Sequence, residues 1–214
     1  DMLCTGGLER HAVTLDEIRK IEPSLTGNYY GGFYCPGDAT GDIHKFTTGL
    51  ANVTQKNGVN YLFGMEVVDI EHTQNKVLIK YHQSTENMLQ NAAVVEHLEA
   101  DAVLVCGGVG SYQLANQLGD RVNVYPVKGY SITVQLDDQH SIENAPWVSL
   151  LDESAKIVTS RLGTDRLRIA GTAEFNGYNR DIRAERIQPL IDWVNRNFDL
   201  STEHCIPWTG LRPM

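Results

Sequence analysis

The chain has 214 residues, of which 42% are hydrophobic and 21% are charged, as expected for a globular protein that buries a sizeable core. Its formal net charge of −9 argues against non-specific binding to nucleic acid, which needs clustered lysine and arginine. We expect no membrane span and no secretory signal, because no apolar run approaches ~20 residues and the chain shows neither a basic start nor an apolar stretch there. The four cysteines lack the spacing of metal ligands, so we expect reduced thiols and no metal site.

The first 36 residues predict one helix and one strand. The run Thr14-Leu15-Asp16-Glu17 has the spacing of a capping box, and Pro23 ends the helix that follows it. Residues 31–34 then predict a short strand, which leads into a turn rich in glycine and proline.

A second helix is predicted by four apolar residues at helical spacing: Ile43, Phe46, Leu50 and Val53. Either Thr40 or Asp42 can cap its first turn, and Gly58 is placed to end it.

The middle of the chain predicts strands of two kinds. Apolar or aromatic residues recur at every second position, at 59, 61 and 63 and again at 77, 79 and 81, which is typical of half-buried strands. The polar stretch between Gln83 and His97 fits a long hairpin tip. The continuous apolar run at residues 102–106 predicts a strand buried on both faces, as in parallel sheets, and a helix over residues 112–118 follows it.

From about Val122 onward the pattern predicts antiparallel strands and one helix. The strands are expected at 122–124, 130–134, 147–151, 157–159 and 167–169. The helix carries its apolar residues on one face: Ile187, Leu190, Ile191, Val194 and Phe198. We therefore predict an α+β fold, with a β-α-β portion over residues 37–121 and an antiparallel portion after it.

Five motifs follow one another in a characteristic order. They lie at residues 38–46 (Asp-Ala-Thr-Gly-Asp-Ile-His-Lys-Phe), 64–67 (Gly-Met-Glu-Val), 103–108 (Val-Leu-Val-Cys-Gly-Gly), 125–131 (Tyr-Pro-Val-Lys-Gly-Tyr-Ser), and 171–174 (Gly-Thr-Ala-Glu) with 208–214 (Trp-Thr-Gly-Leu-Arg-Pro-Met). As an ordered set covering nearly the whole chain, they resemble the D-amino-acid oxidase superfamily, and most closely the bacterial D-amino-acid dehydrogenases.

The resemblance implies a partial FAD-binding domain of the three-layer type and an antiparallel-sheet substrate domain. Residues 1–36 would belong to the substrate domain, 37–121 to the FAD-binding domain, 122–205 to the antiparallel substrate-binding domain, and 206–214 would return toward the FAD domain. The N-terminal Gly-x-Gly-x-x-Gly turn and the last flavin-binding segment of such proteins are not found here. We therefore expect an internal fragment that is folded but holds FAD weakly or not at all.

The resemblance also implies roles for single residues. Arg212 would bind the substrate carboxylate, since a guanidinium pairs with a carboxylate in a bidentate geometry; a surface arginine paired with an acid is the alternative. Tyr130 is a second catalytic candidate, with a place in the core as its alternative. Cofactor contacts are implied for the following residues: Val67, Gly107, Gly108, Lys128 and Gly129. For the glycine pair, the alternative is a strand-to-helix turn without a ligand.

The implied activity is FAD-dependent oxidative deamination of D-amino acids to 2-oxo acids and ammonia. A quinone would accept the electrons, and the protein would be cytoplasmic and peripheral to the inner face of the membrane. Two alternatives stay open: a glycine- or sarcosine-type amine oxidase of the same superfamily, and a non-catalytic module without flavin.

Overall fold

The computed structural model describes residues 5–84 and 94–214. The strands are β1 (His11–Val13), β2 (Gly32–Tyr34), β3 (Met65–His72), β4 (Val77–Gln83), β5 (Glu96–Ala100), β6 (Pro126–Gln135), β7 (Leu151–Asp152), β8 (Ile157–Arg161), β9 (Arg166–Phe175) and β10 (Ile206–Pro213). The helices are α1 (Leu15–Ile21), α2 (Ile43–Lys56), α3 (Ser111–Gln117), α4 (Gln139–Asn144) and α5 (Ala184–Asn197).

The chain divides into two compact units. The first unit comprises Asp1–Phe46 and Lys128–Gly210, and the second comprises Thr47–Val127 and Leu211–Met214. The secondary structure confirms the α+β class, because the described residues form helices and three antiparallel sheets. Among the helices of the described residues, none is long and apolar enough to cross a membrane.

The start of the first unit confirms the predicted capping box. The Thr14 hydroxyl accepts a hydrogen bond from the backbone N–H of Glu17 at 3.4 Å, and the Glu17 carboxylate accepts one from the backbone N–H of Thr14 at 2.8 Å. Both donors would otherwise lack partners at the helix start, so this exchange fixes where α1 begins. The predicted strand at residues 31–34 is also confirmed, as β2, which pairs with β1.

The core of the first unit lies between a five-stranded sheet and α5. The strand order is β10-β6-β9-β8-β7. The core residues at 0% exposure are Ile132, Leu167, Ile169, Leu190 and Val194. The predicted strands at 130–134, 157–159 and 167–169 and the helix with its apolar face are thereby confirmed.

Two other strand predictions in this part of the chain were wrong in place or extent. Residues 122–124 form no strand, and of residues 147–151 only Leu151 belongs to one, the two-residue strand β7. The backbone N–H groups of Trp147 and Val148 donate instead to the buried carboxylate of Glu22, at 2.8 and 2.9 Å. A carboxylate has therefore taken the donors that a strand would have paired.

Helix α2 has the predicted start, end and apolar stripe. The Asp42 carboxylate accepts from the backbone N–H of Lys45 at 3.1 Å, so Asp42 rather than Thr40 caps the helix. Gly58, with φ of +96°, follows the last turn in the left-handed conformation that favours glycine. The stripe itself is exposed, at 65% for Phe46 and 51% for Leu50.

The second unit contains the three-stranded antiparallel sheet β3-β4-β5. β4 confirms the predicted strand at 77–81, and β4 and β5 form a hairpin whose tip lies mostly outside the described residues. The strand predicted at 59–63 was wrong, because β3 begins only at Met65. The Tyr61 hydroxyl instead lies 2.7 Å from the Thr54 hydroxyl on α2, and its ring stacks on Phe63.

The strand predicted at residues 102–106 was also wrong. The segment is not assigned to a strand, and its side chains alternate between exposed and half-buried, with Leu104 87% exposed. An apolar run forms a doubly buried strand only when other elements cover both of its faces, and none of the described residues does so here. The helix expected after it is confirmed as α3, which contacts β3 through a hydrogen bond from the Gln117 side chain to the Val68 carbonyl at 2.9 Å.

Candidate functional site

Lys128, at the start of β6, is fully buried at 0% exposure. Its ammonium lies 3.0 Å from Glu174 Oε2 and donates to Asn179 Oδ1 at 3.0 Å and to the Asp181 carbonyl at 3.1 Å. A lysine ammonium has three N–H donors, so these three oxygens engage all of them. The Lys128 side chain therefore has no donor left for a ligand, and a cofactor could contact only its backbone.

Glu174 is the centre of this buried cluster. Its Oε2 accepts a hydrogen bond from the Tyr130 hydroxyl at 2.5 Å, and its Oε1 accepts from Arg183 at 2.6 Å. The Tyr130 hydrogen bond, followed by those from Lys128 and Arg183, lowers the pKa of Glu174 from 4.5 to about 2, against the opposing effect of burial. The carboxylate is therefore ionised across the physiological range.

The cluster shifts the other two pKa values upward. Burial opposes the charged form of Lys128, but hydrogen bonding to Tyr130 and Glu174 outweighs it, and the pKa of Lys128 is raised. Burial and then the Glu174 hydrogen bond raise the pKa of Tyr130. Tyr130 consequently keeps its proton, and that proton is directed at Glu174 rather than at a ligand.

The position of Glu174 depends on an irregular residue in β9. Leu167 and Ile169 bury alternate side chains, and Glu174, five residues beyond Ile169, is also buried, so the alternation shifts by one residue. Thr172 lies between them with φ of +55°, a strained conformation for a β-branched residue. Such a bulge re-aims the side chains that follow it, and here it directs a carboxylate toward β6.

Arg212 lies on β10 within the second unit and is exposed. Within the described ranges, its guanidinium makes no ion pair or hydrogen bond with the rest of the chain. A carboxylate partner on the protein, the alternative that the sequence left open, is thus absent from the described residues. The side chain is available to an anionic ligand.

The other predicted cofactor contacts of the second unit have the backbone access that a dinucleotide requires. Val67 lies on β3, an edge strand whose second edge is paired by no strand of the described residues. Gly108 has φ of +56° and open space where a side chain would stand, and at Gly107 the nearest atoms would be 3.5 Å away. These residues fit close approach by a ligand to the backbone.

Sequence reasoning did not select Glu174, Asn179 or Arg183 as site residues. Glu174 stood in one of the quoted motifs, and the available signal was a lone acid one residue before the end of β9. Gly129, which was selected, lies between Lys128 and Tyr130 on β6, and its carbonyl accepts a hydrogen bond from Thr209 on β10 at 3.0 Å.

Curated relatives resemble the chain along its whole length. It is 49% identical over 215 residues to D-amino acid dehydrogenase 3 of Mesorhizobium japonicum, covering 100% of this chain and 50% of that protein. It is 40% identical over 213 residues to the D-amino acid dehydrogenase of Dechloromonas aromatica, covering 97% of this chain and 48% of the relative. The chain thus spans about half the length of the curated relatives it matches.

Solved structures share the fold. Glycine oxidase from Geobacillus kaustophilus superposes with a TM-score of 0.80 at 20% identity, over 99% of this chain and 53% of that one. Glycine oxidase from Bacillus cereus gives 0.81 at 21% identity, over 100% of this chain and 55% of the other. The pattern of the DAO family, described as FAD dependent oxidoreductase, matches residues 3–214. The chain belongs to this family of FAD-dependent oxidoreductases.

Proposed function

We propose that the protein containing this chain is an FAD-dependent D-amino-acid dehydrogenase that converts D-amino acids to 2-oxo acids and ammonia. The observation that carries the proposal is the 49% identity to a D-amino acid dehydrogenase along the full chain. The glycine oxidases share the fold at 20–21% identity, which is too distant to transfer a substrate.

Arg212 has the central binding role in this proposal. The substrate is an amino acid, and its carboxylate would pair with the exposed guanidinium, which no carboxylate of the described residues neutralises. Such a pair would fix the orientation of the α-carbon and its hydrogen, which is the main contribution that a protein makes to cofactor chemistry.

The cofactor would be held by backbone groups. Val67 would contact the adenine, Gly107 and Gly108 the dinucleotide, and the backbone of Lys128 and Gly129 the flavin region. When bound, FAD supplies the two-electron acceptor for the hydride that leaves the substrate α-carbon. The resulting imine takes up water and releases ammonia and the 2-oxo acid. Residues 37–121 would then form the cofactor-binding domain and residues 122–205 the substrate domain.

Tyr130 contributes indirectly in this proposal. Its hydroxyl proton is donated to Glu174, so its role is to hold the start of β6 in place rather than to transfer a proton to the substrate. The clustered ionic and hydroxyl groups supply the rigid support that a binding strand needs.

Anaerobic reduction of the flavin-loaded protein tests the proposal. D-alanine should bleach the visible flavin absorption, whereas glycine, sarcosine and L-alanine should not. Bleaching by glycine or sarcosine in preference to D-alanine would assign the amine-oxidase alternative. Protein that binds flavin but is reduced by none of these compounds would contradict the proposed class.

The electron acceptor forms a second part of the proposal. We propose a quinone at the inner face of the membrane, on the ground of the resemblance to bacterial D-amino-acid dehydrogenases. A soluble quinone analogue should support D-alanine turnover at a rate well above the rate of oxygen consumption. Turnover that consumes oxygen stoichiometrically would favour an oxidase.

A further inference from the structure

Strand β9 carries two arginines on the face of the five-stranded sheet opposite its core. Leu167 and Ile169 of β9 are buried against the core, and the alternation of a strand places Arg166 and Arg168 on the other face. Both guanidinium groups belong to the first unit, and their surroundings differ.

Arg166 is neutralised by acids of its own unit. Its Nη2 lies 2.9 Å from Asp42 Oδ2, and its Nε lies 3.8 Å from Asp165 Oδ1. Arg168, two residues further along the strand, makes no ion pair with any carboxylate in residues 5–84 and 94–214. It is half-buried, so its positive charge is partly desolvated without a counter-charge.

The Arg168 side chain is nevertheless held in one orientation. Its Nη2 donates to the hydroxyl of Ser131 on β6 at 3.3 Å, and its guanidinium carbon lies 5.0 Å from the ring centroid of Trp208 on β10. Three neighbouring strands thus contribute one side chain each to a single group on this face. An arginine stacked on an indole keeps several N–H donors directed away from the ring.

The position of Trp208 depends on the absence of a side chain at residue 210. Its indole lies over Gly210, where an added Cβ would overlap the ring, so the close position of the indole depends on glycine. Trp208 is 53% exposed. A half-exposed aromatic ring beside an arginine without a counter-charge is typical of recognition surfaces for anionic organic groups.

We propose that Arg168, Ser131 and Trp208 form a carboxylate-binding site on this face of the sheet. The inference rests on the proposed function, and the ligand is the amino-acid substrate. The carboxylate is the one at the end of an acidic side chain of the substrate. The protein therefore prefers acidic D-amino acids.

Steady-state kinetics of the flavin-loaded protein that contains this chain, with Arg168→Met or Arg168→Lys, test the site. If the site binds a side-chain carboxylate, Arg168→Met lowers kcat/KM for D-glutamate by about 10–100-fold and leaves D-alanine within about twofold. A KM that rises by the same factor for both substrates would place the α-carboxylate at Arg168 and would contradict the proposal. Arg168→Lys should recover part of the loss, because it restores charge without the planar fork. No change with either substrate would overturn the proposal.

Arg196→Met is the matched control. Arg196 lies on α5, and its Nε donates to the Asp192 carbonyl of its own helix at 3.1 Å. This variant should leave both substrates unaffected. Equal losses in Arg196→Met and Arg168→Met would indicate a general effect of removing positive charge and would contradict the site.

A binding measurement separates this inference from the proposed function. Glutarate should change the tryptophan fluorescence of the protein in a saturable manner, and the change should be absent in Trp208→Phe and weakened in Arg168→Met. Saturable binding without turnover of any D-amino acid would retain the carboxylate site and reject the dehydrogenase. Turnover of D-amino acids with no Trp208-dependent signal and no kinetic effect of Arg168 would do the reverse.

Discussion

Helices α2 and α5 have 14 residues each and each carries an apolar stripe, but they bury that stripe to opposite extents. In α5, Leu190 and Val194 are completely buried against the five-stranded sheet. In α2, Phe46 and Leu50 are more than half exposed, and none of the 14 residues is buried within the part of the chain that the structure describes. In this molecule an apolar stripe at helical spacing therefore accompanies a helix whether or not the stripe is buried in the described residues.

The two helices depend on different forces. α5 contains Pro189, which removes a backbone donor from the helix interior, and its N-cap residue Arg183 makes no side-chain hydrogen bond to the first turn. Burial of its apolar face has to offset both defects. α2 instead has local support, since Asp42 caps its start and the Thr54 hydroxyl donates to the Leu50 carbonyl at 2.8 Å. Packing therefore stabilises α5, whereas local interactions stabilise α2.

The largest expected effect on stability comes from truncating a side chain of the buried apolar stripe of α5. Leu190→Ala should lower the free energy of unfolding by about 4 kcal/mol, because it removes a fully enclosed side chain and leaves a cavity. The matched variant Leu50→Ala on α2 should change it by less than about 0.5 kcal/mol. Urea unfolding followed by circular dichroism measures both. A loss of stability at Leu50 comparable to the loss at Leu190 would indicate that the α2 stripe is covered.

The next largest effect on stability concerns the buried cluster of Lys128, Tyr130 and Glu174. Glu174 has its pKa lowered to about 2 from 4.5, so its ionised form stabilises the fold above pH 4.5, and this contribution disappears as the pH falls toward 2. Glu174→Gln should lower Tm at pH 7 by about 5–10 °C, since it leaves Lys128 without its counter-charge. It should also flatten the decrease of Tm between pH 4.5 and 2.

Thermal melts of the two proteins across pH 2–7 provide the measurement. Glu203→Gln, at an exposed position, is the control and should follow the unsubstituted curve. If Glu174→Gln retained the full acid sensitivity of the unsubstituted protein, other carboxylates would be responsible for it.

The sequence predicted local structure better than it predicted partners. The capping box of Thr14 and Glu17 and the C-terminal glycine of α2 depend on residues within a few positions, and all were recognised correctly. The apolar run at 102–106 was misassigned, because a doubly buried strand needs covering elements that the run itself does not specify. Periodicity indicates which residues share a face but not what lies against it.

In the candidate site, too, the residues of one local motif were predicted and their tertiary partners were not. Lys128, Gly129 and Tyr130 were selected from a contiguous motif, whereas Glu174 is 44 residues away from Tyr130 and meets it only through strand pairing and the bulge at Thr172. A left-handed β-branched residue is not expected from propensity, so the register that brings the carboxylate to β6 could not be predicted. Trp208 and Arg168 likewise meet across three strands.

At the bulge in β9, a substitution should raise the free energy of unfolding rather than lower it. Thr172→Gly should raise the free energy of unfolding by about 1 kcal/mol, because glycine adopts φ of +55° without the steric cost of a branched side chain. Lys156→Gly, at φ of +56°, is the matched variant and should shift in the same direction. If only Thr172→Gly were destabilising, the bond from the Thr172 hydroxyl to the Arg186 carbonyl, at 3.5 Å, would be the reason that threonine is retained.

The smallest effects test whether α2 is stabilised locally. Gly49 lies within the exposed helix with open space around it, so Gly49→Ala should add about 0.5–1 kcal/mol through helix propensity. Gly58→Ala should remove about 1 kcal/mol, because alanine is disfavoured at φ of +96°. Hydrogen exchange of the α2 amides should follow the same two directions. A helix held by packing would respond weakly to both substitutions, whereas a helix held by its own backbone and caps should respond to each with opposite sign.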